Sequence, residues 1–407
     1  MRIAYINATC SEGSTGDIVR QLRSYAISKG HSVRVFYGED NHPYEGASRV
    51  GLRPGQLCHA VKSRVIGKQG YASSIATLGL LRQLDSFAPD VVHLHNLHAN
   101  YINLPMLLSY LAQQDVPTVL TLHDCWFFTG KCTYPVQTGC RRWAEGGCHD
   151  CPQLRTDNVN PTLLFDRTRR CFEDKRALLS AIPRLGVVGV SDWITREACD
   201  SFLGVRNPVR IYNWVNREVF RPMPVSDVIE FRRRLGVGSG ERMALFVSGN
   251  LSERKGYGVL SSLPGLLDGK TRVVYVGGNK GGLPLPDEVI APGPARSQEE
   301  LAIYYSAADV CVNTTKCETF GLVTVESLAC GTPVIVNPNT ASPEIVEEGC
   351  GHVLRTQDDA CEVARTVNSL ASQDSMTISL RCVKSSRRFD SMKSLESYIE
   401  LYRTIIN

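Results

Sequence analysis

The sequence lacks the long apolar runs, biased tracts and strong charge of one sign that mark several protein classes. No apolar stretch approaches the ~20 residues that a membrane-spanning helix needs. Of 407 residues, 43% are hydrophobic and 21% are charged, and the formal net charge is only +4. These values argue against a helical membrane protein, a disordered chain and a nucleic-acid-binding protein. They predict a globular protein of roughly two to three domains, each with its own core.

Two short signals are also missing. The loop Ser11–Gly16 does not have the Gly-x-Gly-x-x-Gly pattern of dinucleotide-binding enzymes. The apolar part of Met1–Asn7 is too short for a secretory signal and instead predicts a first strand. We therefore expect a cytoplasmic protein, which is either free in solution or peripheral at the cytoplasmic face of the membrane.

Apolar runs of strand length alternate with segments of helical spacing along the whole chain. The runs are rich in Val and Ile, as is typical of parallel strands that helices cover on both faces. This pattern predicts an α/β protein with doubly wound, Rossmann-like sheets. The predicted strands are 2–7, 32–38, 91–96, 118–123 and 185–191 in the first half, and 243–249, 272–278, 308–313 and 333–337 in the second.

Two glutamates flank the start of a predicted helix in the second half. Glu318 lies in the loop after the strand 308–313, and Glu326 lies within the next helix. A helix N-terminus offers free amides and the positive end of the helix dipole to phosphate groups. The carboxylates can accept hydrogen bonds from sugar hydroxyls. The pattern indicates a nucleotide-sugar site, although an acid near a helix start also serves simply to complement the dipole.

Two segments carry a resemblance to a known family. The run 317–334, Cys-Glu-Thr-Phe-Gly-Leu-Val-Thr-Val-Glu-Ser-Leu-Ala-Cys-Gly-Thr-Pro-Val, resembles the signature of the family 4 retaining glycosyltransferases, which have the two-domain GT-B fold. The stretch 120–154 contains Leu-His-Asp-Cys-Trp, Thr-Gly-Lys-Cys-Thr-Tyr and Gly-Gly-Cys, and is similar to bacterial transferases of colanic acid and related exopolysaccharide pathways. The likeness extends from Ile3 to about Leu354.

The resemblance implies two Rossmann-like domains that face each other across a cleft. The segment 211–224 contains two prolines and interrupts the periodicity, so we expect the domain boundary there. The predicted N-terminal, acceptor-side domain covers 1–213 together with a C-terminal helix, 388–407, which crosses back in the resembled fold. The predicted donor domain, which binds the nucleotide sugar, covers 214–387.

The resemblance also implies an activity. A hexosyltransferase (EC 2.4 class) of this family would transfer a sugar, with retention, from a UDP- or GDP-linked donor. The expected acceptor is a hydroxyl of a lipid-linked oligosaccharide in exopolysaccharide, lipopolysaccharide or capsule synthesis. Two alternatives remain open. A nucleotide-sugar epimerase of the same fold would turn over the donor without an acceptor, and a non-catalytic protein would bind the nucleotide sugar and release no nucleoside diphosphate.

Candidate site residues of the first domain follow predicted strands. The glycines of Gly13-Ser14-Thr15-Gly16 permit close approach of a ligand, and Ser14 or Thr15 is predicted to cap the following helix. In the resembled family this loop lies beside the donor diphosphate. His123 ends a strand, where local hydrogen bonds alone would explain a histidine, but the resemblance implies contact with the donor sugar. The run 93–98 holds three histidines that we expect to form a wall of the cleft.

Cationic residues of the second domain follow the strand 243–249. Arg254 and Lys255 could neutralise the diphosphate that leaves during transfer. Lys255 matches the lysine of the family pattern, whereas Asn250 stands where the family has an arginine, whose role Arg254 could take. Because no Asp-x-Asp segment is present, we expect catalysis without a cofactor. The predicted catalytic residues are His123, Lys255 and Glu318, and the other predicted donor-binding residues here are Asn250, Arg254, Thr319, Phe320, Gly321, Leu322 and Glu326.

Four of the fifteen cysteines lie within twenty residues. Cys132, Cys140, Cys148 and Cys151 follow the spacing Cys-x7-Cys-x7-Cys-x2-Cys, in which the last pair has the separation found in zinc knuckles. The long, Gly-rich segment around them needs a cross-link. A structural zinc ion would supply one, and disulfides would do so in an oxidising compartment. Both alternatives stay open.

A basic stretch precedes these motifs. Between Asn41 and Asp85 six basic residues stand against two acids, with apolar residues interleaved. Such a stretch either contacts the anionic inner membrane surface or forms a helical hairpin whose basic face is merely solvated. The expected partners are therefore the nucleotide-sugar donor, a glycan acceptor and, on the first interpretation, the membrane, with no nucleic acid.

Overall fold

The computed structural model describes residues 1–157 and 160–407. The chain divides into two compact units. The division predicted from the sequence, at 213/214 and 387/388, differs from this one by one and seven residues. Unit 1 comprises Met1–Tyr212 and Leu395–Asn407, and unit 2 comprises Asn213–Ser394.

Unit 1 contains a seven-stranded sheet in which every neighbouring pair is parallel. Its strands are β1 (Arg2–Asn7), β2 (Ser32–Tyr37), β3 (Ala47–Arg49), β4 (Val91–Leu94), β5 (Thr118–Leu122), β6 (Leu185–Gly189) and β7 (Val209–Arg210). Its helices are α1 (Gly13–Ser28), α2 (Arg53–Ile66), α3 (Ser74–Phe87), α4 (Leu104–Gln113), α5 (Arg142–Glu145), α6 (Thr168–Ser180) and α7 (Asp192–Asp200). Short 3-10 helices cover Trp126–Phe128, Pro135–Thr138 and Phe202–Arg206. The strand order is β3-β2-β1-β4-β5-β6-β7.

Unit 2 repeats the plan with six parallel strands. The strands are β8 (Arg242–Asn250), β9 (Thr271–Gly278), β10 (Val289–Gly293), β11 (Val310–Asn313), β12 (Val334–Val336) and β13 (Gly351–Val353), in the order β10-β9-β8-β11-β12-β13. The helices are α8 (Val225–Arg234), α9 (Tyr257–Ser262), α10 (Gln298–Ala307), α11 (Leu322–Ala329), α12 (Ser342–Ile345), α13 (Ala360–Ala371) and α14 (Ser375–Ser386). Short 3-10 helices cover Glu253–Lys255, Leu263–Leu266 and Arg387–Phe389, and the chain ends in α15 (Ser391–Ile406).

The interior strands are the ones that the sequence predicts. All nine predicted strands are present, and their ends differ from the prediction by at most two residues. The four strands that the sequence does not predict, β3, β7, β10 and β13, are the four sheet edges. An edge strand is short and lies partly in solvent, so it needs no continuous apolar run. The interior strands are covered on both faces, and this burial produces the run that makes them predictable.

Each sheet has one point where the strand order reverses, between β1 and β4 in unit 1 and between β8 and β11 in unit 2. Open parallel sheets bind ligands outside the carboxyl ends of the strands at such a point. The predicted loop 13–16 follows β1, Lys255 follows β8 and Glu318 follows β11. The topology therefore places the predicted site residues of each unit at the position where such sheets bind ligands.

The C-terminal helix α15 packs into unit 1 through buried tyrosines. The hydroxyl of Tyr402 lies 2.7 Å from Nδ1 of the fully buried His93, and the hydroxyl of Tyr398 lies 3.1 Å from Oγ1 of Thr121. Gly186 of β6 makes room for the helix, because a Cβ there would lie 2.3 Å from Cδ1 of Ile405. The helix thereby supplies hydrogen-bond partners to the ends of β4 and β5.

Replacing Tyr402 should destabilise the protein. In Tyr402→Phe, Nδ1 of buried His93 loses its partner, which should lower the free energy of unfolding by roughly 1–3 kcal/mol. Urea unfolding followed by fluorescence measures this change. Met392→Ala on the same helix is the control, because Met392 is 54% exposed and should shift stability by less than about 0.5 kcal/mol. Equal stabilities of Tyr402→Phe and the control would show that the hydrogen bond is not a structural anchor.

Candidate active site

The loops after β8 and β11 meet through an ion pair. Nζ of Lys255 lies 2.6 Å from Oε1 of Glu318, and the two side chains are 24% and 18% exposed. A charge-assisted contact this short restrains both groups, while their partial exposure leaves them in reach of a ligand. A narrow recess beside Lys255 is lined by Ser248, Tyr275 and Asn313. The two residues that the sequence predicts as catalytic in unit 2 therefore lie side by side.

Backbone contacts hold the same two loops together. The amide of Lys316 donates to the carbonyl of Arg254 at 2.9 Å, and Nη1 of Arg254 donates to the carbonyl of Cys317 at 3.4 Å. Gly256 permits this approach, because its φ is +83° and a Cβ there would lie 2.2 Å from Oγ1 of Thr314. Arg254, a predicted donor-binding residue, thus also joins one loop to the other.

The turn before α11 presents backbone amides without a side-chain cap. Gly321 is the N-cap residue, with φ of +96°, and it has no side chain with which to cap the first turn. Amides of a first helical turn have no partner within the helix. Thr319 and Phe320 are buried, and the Phe320 ring packs edge-on against Phe389 with centroids 5.4 Å apart. The Phe320 side chain thus anchors the turn. The amides of Thr324 and Val325 donate to the carbonyl of Gly321, so those of Leu322 and Val323 are the groups suited to an anion.

Glu326 is held within α11 by a tyrosine. Oε2 of Glu326 accepts a hydrogen bond of 2.9 Å from the hydroxyl of Tyr305 on α10. Burial, together with the neighbouring carboxylate, raises the pKa of Tyr305 well above its usual value. The phenol therefore stays protonated and donates to Glu326. This contact orients the carboxylate before any ligand binds.

Asn250 has a structural contact of its own at the end of β8. It is exposed, and its Oδ1 accepts a hydrogen bond of 2.8 Å from the amide of Lys280. The pairing of β8 with β9 shifts register between Ser248 and Asn250. An arginine has no acceptor atom and could not make this contact. The departure from the family pattern therefore coincides with a bond that joins the loops after β8 and β9.

In unit 1, Asp40 occupies the amides of the loop after β1. Its Oδ2 accepts from the backbone amides of Cys10, Ser11 and Glu12 at 2.9, 2.7 and 3.1 Å. Burial acts to raise the pKa of Asp40, but these bonds outweigh it and hold the pKa well below its usual range. An internal carboxylate thus satisfies the amides of residues 10–12, so these three amides are occupied before any ligand binds.

The predicted cap of α1 is wrong. The helix begins at Gly13, so Ser14 and Thr15 lie inside its first turn, and the N-cap residue Glu12 makes no side-chain cap bond. Gly13 has φ of +68°, which lets the helix start earlier than predicted. Gly16 is buried against the preceding loop, because a Cβ there would lie 2.7 Å from Oγ1 of Thr9. Gly13 and Ser14 are exposed.

His123 belongs to a stack of buried histidines. Its Nε2 lies 2.9 Å from Nδ1 of His95, and the two rings stack with centroids 5.2 Å apart. Burial lowers the pKa of His123 to about 4, although the charge of Asp124 acts in the opposite direction. Burial also lowers the pKa values of His93 and His95 well below their usual value. His123 is therefore an uncharged hydrogen-bonding group near neutral pH.

The expectation that the run 93–98 forms a wall of a cleft is wrong for two of its three histidines. His93 and His95 are fully buried. His93 bonds Tyr402 and Thr121, and His95 bonds His123. These two histidines therefore support the ends of β4 and β5 from within the core.

The four clustered cysteines line one small cavity of unit 1, together with residues that include Trp143 and His149. All four are free thiols. Within the described parts of the chain, no three His, Cys, Asp or Glu side chains are placed close enough to hold a metal ion. The cysteines that the sequence predicts to act together thus share one cavity as separate thiols. They are Cys132, Cys140, Cys148 and Cys151.

Three residues that support the site were not predicted. Tyr305 bonds Glu326, Asp40 bonds the loop after β1, and Oγ1 of Thr340 accepts from the amide of Glu318 at 2.9 Å. Each lies more than twenty positions from its partner. No local pattern identifies such partners, because the contacts exist only once the sheets are assembled.

Comparison with known proteins decides the family. A family model described as Glycosyltransferase Family 4 matches residues 16–151, and one described as Glycosyl transferases group 1 matches residues 242–373. The chain belongs to the glycosyltransferases. This glycosyltransferase is 21% identical to the colanic acid biosynthesis glycosyl transferase WcaC of Escherichia coli (strain K12), over the full length of both chains. It is 27% identical to a D-inositol 3-phosphate glycosyltransferase of Thermobispora bispora, over 81% of this chain and 70% of that one.

Solved structures establish the fold. The sucrose-phosphate synthase of Thermosynechococcus elongatus matches with a TM-score of 0.73 at 20% identity, over 99% of the glycosyltransferase and 98% of that chain. Anabaena HepE in complex with UDP-glucose matches with a TM-score of 0.67 at 18% identity, over 99% and 100% of the two chains. Together with the two parallel sheets, these matches confirm the GT-B fold predicted from the sequence.

The buried histidines predict acid sensitivity. Their pKa values are lower in the folded protein than the usual 6.5, so the unfolded chain takes up protons first. The contribution of the neutral histidines to the free energy of unfolding is therefore fully present above pH 6.5. It falls as the pH drops toward 4, and each histidine loses about 1.4 kcal/mol per pH unit. Urea unfolding at pH 7.5 and 5.5 measures the fall, which His123→Asn should reduce by about 1 kcal/mol. An identical fall in the wild type and in His123→Asn would contradict the low pKa assigned to His123.

Proposed function

We propose that this glycosyltransferase transfers a sugar, with retention of configuration, from a nucleoside-diphosphate sugar. The contact between Lys255 and Glu318, at 2.6 Å, carries the proposal. It puts a cation and a hydroxyl-binding carboxylate together at the strand-order reversal of unit 2, beside the uncapped start of α11. A cation and helix amides suit a diphosphate, and a carboxylate suits the hydroxyls of a sugar. Anabaena HepE, a structural neighbour, was solved with UDP-glucose, which supports a nucleotide-sugar donor.

Each group of unit 2 has a proposed role. Lys255, with Arg254 beside it, stabilises the negative charge that grows on the leaving diphosphate. The amides at the start of α11 bind the outer phosphate. Glu318 binds sugar hydroxyls, and Glu326, which Tyr305 orients, accepts hydrogen bonds from the ribose.

The chemistry follows the family with which the sequence shares its motifs. The departing phosphate helps to take the proton from the acceptor hydroxyl on the same face of the sugar, which retains the configuration. His123 is proposed to orient the transferred sugar, and its low pKa suits a neutral hydrogen-bonding role. Lys255 and the amides of α11 supply the charge stabilisation, so no metal is required for the step.

The acceptor is proposed to be a hydroxyl of a lipid-linked oligosaccharide in surface polysaccharide synthesis. The name of the full-length relative WcaC, a colanic acid biosynthesis enzyme, supports this pathway class. An epimerase would consume the donor without an acceptor, and a binding protein would release no nucleoside diphosphate. Acceptor-dependent release of nucleoside diphosphate therefore separates the proposed transferase from both alternatives.

Two substitutions test the assigned roles. Glu326→Ala should weaken donor binding roughly 10- to 100-fold, because hydrogen bonds to a charged group are lost. Lys255→Ala should lower kcat roughly 100- to 1,000-fold, because the leaving charge loses its cation. Titration calorimetry with the donor and an assay of released nucleoside diphosphate measure the two effects. Lys270→Ala and Glu348→Ala, at exposed positions of the same unit, are the matched controls. Full activity in both site variants would overturn the roles.

We also propose that unit 1 contacts an anionic membrane surface. Helices α2 and α3 expose apolar side chains, among which Ile75 is 90% exposed. Exposed lysine and arginine lie beside them, and α2 contains no acidic residue. This combination is typical of protein surfaces that rest on anionic lipid headgroups. We define the α2–α3 face as Leu57, Val61, Lys62, Arg64, Ile75, Leu78, Leu163, Leu164 and Phe165.

The parts of the α2–α3 face adjoin one another. The amide of Leu163 donates to the carbonyl of Arg64 at 2.7 Å, which joins the segment 163–165 to the end of α2. Nδ1 of His59 on α2 lies 2.8 Å from Oγ of Ser73 at the start of α3. Within the described ranges, no helix has the length and apolar composition required to cross a bilayer. The proposed contact is therefore peripheral.

Vesicle sedimentation tests the α2–α3 face. The protein should bind vesicles that contain phosphatidylglycerol more tightly than vesicles of phosphatidylcholine alone, and salt should weaken the binding. The double variant Ile75→Glu, Leu164→Glu should bind at least ~10-fold more weakly, because two apolar contacts are lost. Val205→Glu, an exposed apolar residue elsewhere in unit 1, should bind like the wild type. Equal binding by all three proteins would exclude this face.

A further inference from the structure

Four cysteine side chains meet in unit 1, and the proposed sugar transfer does not use them. Cys132 and Cys148 are buried, Cys140 and Cys151 are half-buried, and all four line one cavity. The segment that carries them lies between β5 and α6, and its described residues, 123–157 and 160–167, form only short helical turns. A long segment with so little regular structure needs another source of order.

Two lysines are buried beside these thiols. Lys131 and Lys175 are 5% and 2% exposed. Nζ of Lys131 donates to the carbonyl of Leu154 at 2.7 Å and to Oγ1 of Thr162 at 3.3 Å, and Nζ of Lys175 donates to the carbonyl of Trp126. Nζ of Lys175 also lies 4.1 Å from the centroid of the Trp126 ring. Burying a cation is costly, so further negative charge close to these lysines would be favourable.

The cysteine sulfurs are among the groups that face these ammonium ions. After burial, Cys171 acts most strongly on the pKa of Lys175, followed by Cys148 and Cys132. Asp157 acts most strongly on the pKa of Lys131, followed by Cys151 and Cys132. Asp124 also acts on Lys175, and both aspartates act from beyond salt-bridge distance. A centre of negative charge formed by the sulfurs would therefore lie close to both lysines.

One sulfur already has the hydrogen bond that supports a metal thiolate. The amide of Gly130 donates to Sγ of Cys148 at 3.0 Å. Such backbone contacts stabilise the negative charge of a coordinated sulfur. A residue larger than glycine would interfere, because a Cβ at Gly130 would lie 2.9 Å from Cβ of Cys148 and 2.6 Å from the carbonyl oxygen of Thr168.

We propose that Cys132, Cys140, Cys148 and Cys151 bind one structural zinc ion. Four thiolates and Zn²⁺ carry a net charge of −2, which the two buried lysines beside the cavity would stabilise. Each thiol gives its proton to solvent as the ion binds. The described thiols are not yet at ligand distances, so binding draws them together. Two disulfides would use the same sulfurs but would add no negative charge beside the lysines, and four soft sulfur ligands favour zinc.

The zinc ion would order the segment that follows the site histidine. The amide of Cys125 donates to the carbonyl of Thr133 at 2.9 Å, so the chain after His123 is tied directly to the cysteine segment. The inference is independent of the donor assignment, because metal content is measured without any sugar.

Metal analysis of the full-length protein tests the site. Protein purified under reducing conditions, after growth with zinc, should contain about one zinc ion per chain. Cys148→Ser should contain less than ~0.1, while Cys199→Ser, at an exposed position, should keep the wild-type content. Exchange into Co²⁺ should give the visible absorption of a tetrahedral tetrathiolate. The cobalt spectrum is measured on the wild type. It therefore tests the site even if Cys148→Ser does not fold.

Two results would overturn the zinc site. One is a wild-type protein with less than ~0.1 zinc ion per chain that also gives no tetrathiolate cobalt spectrum. The other is alkylation and mass spectrometry of the wild type that finds these four cysteines paired as disulfides. Retention of a full zinc equivalent by both Cys148→Ser and Cys140→Ser would likewise contradict the assignment, because each variant lacks one of the four ligands.

Discussion

Parallel pairing of every strand in both sheets is the constraint on which the candidate site depends. In a parallel sheet all carboxyl ends lie at one edge, so loops that are distant in sequence come together there. Lys255 and Glu318 are 63 positions apart, yet they meet because β8 and β11 are neighbours. The contact at 2.6 Å follows from this topology and from Gly256, which lets the two loops approach.

The two units present different electrostatics at their carboxyl edges. In unit 2 a lysine, two carboxylates and uncapped helix amides lie at this edge, and in the proposed function they bind a diphosphate and a sugar. In unit 1 the amides after β1 are bound by Asp40, and His123 is neutral because it is buried. Unit 2 therefore carries the charged groups of the proposed function, whereas the described carboxyl edge of unit 1 carries the neutral His123. Internal contacts hold Glu326 and Asp40 in place before a ligand binds.

Interior strands and the motif residues could be predicted from the sequence, because both leave local patterns. Buried parallel strands require continuous apolar runs. Lys255 and Glu318 follow such strands, and Glu326 lies in the helix after Glu318. Edge strands could not be predicted, because partial exposure removes that pattern. The start of α1 was misplaced, because Gly13 adopts a left-handed φ that its neighbours do not indicate. The partners Tyr305 and Asp40 are distant in sequence, so only the assembled sheets reveal them.

The central claim is that the carboxyl edge of unit 2 binds a nucleoside-diphosphate sugar. A thermal-unfolding screen of the full-length protein with UDP- and GDP-linked sugars tests it most directly, since a ligand that binds the folded state raises its stability. The account predicts that at least one such donor raises the unfolding midpoint as its concentration increases, while the free sugar and the nucleoside alone do not. A midpoint that no nucleoside-diphosphate sugar changes would contradict the account.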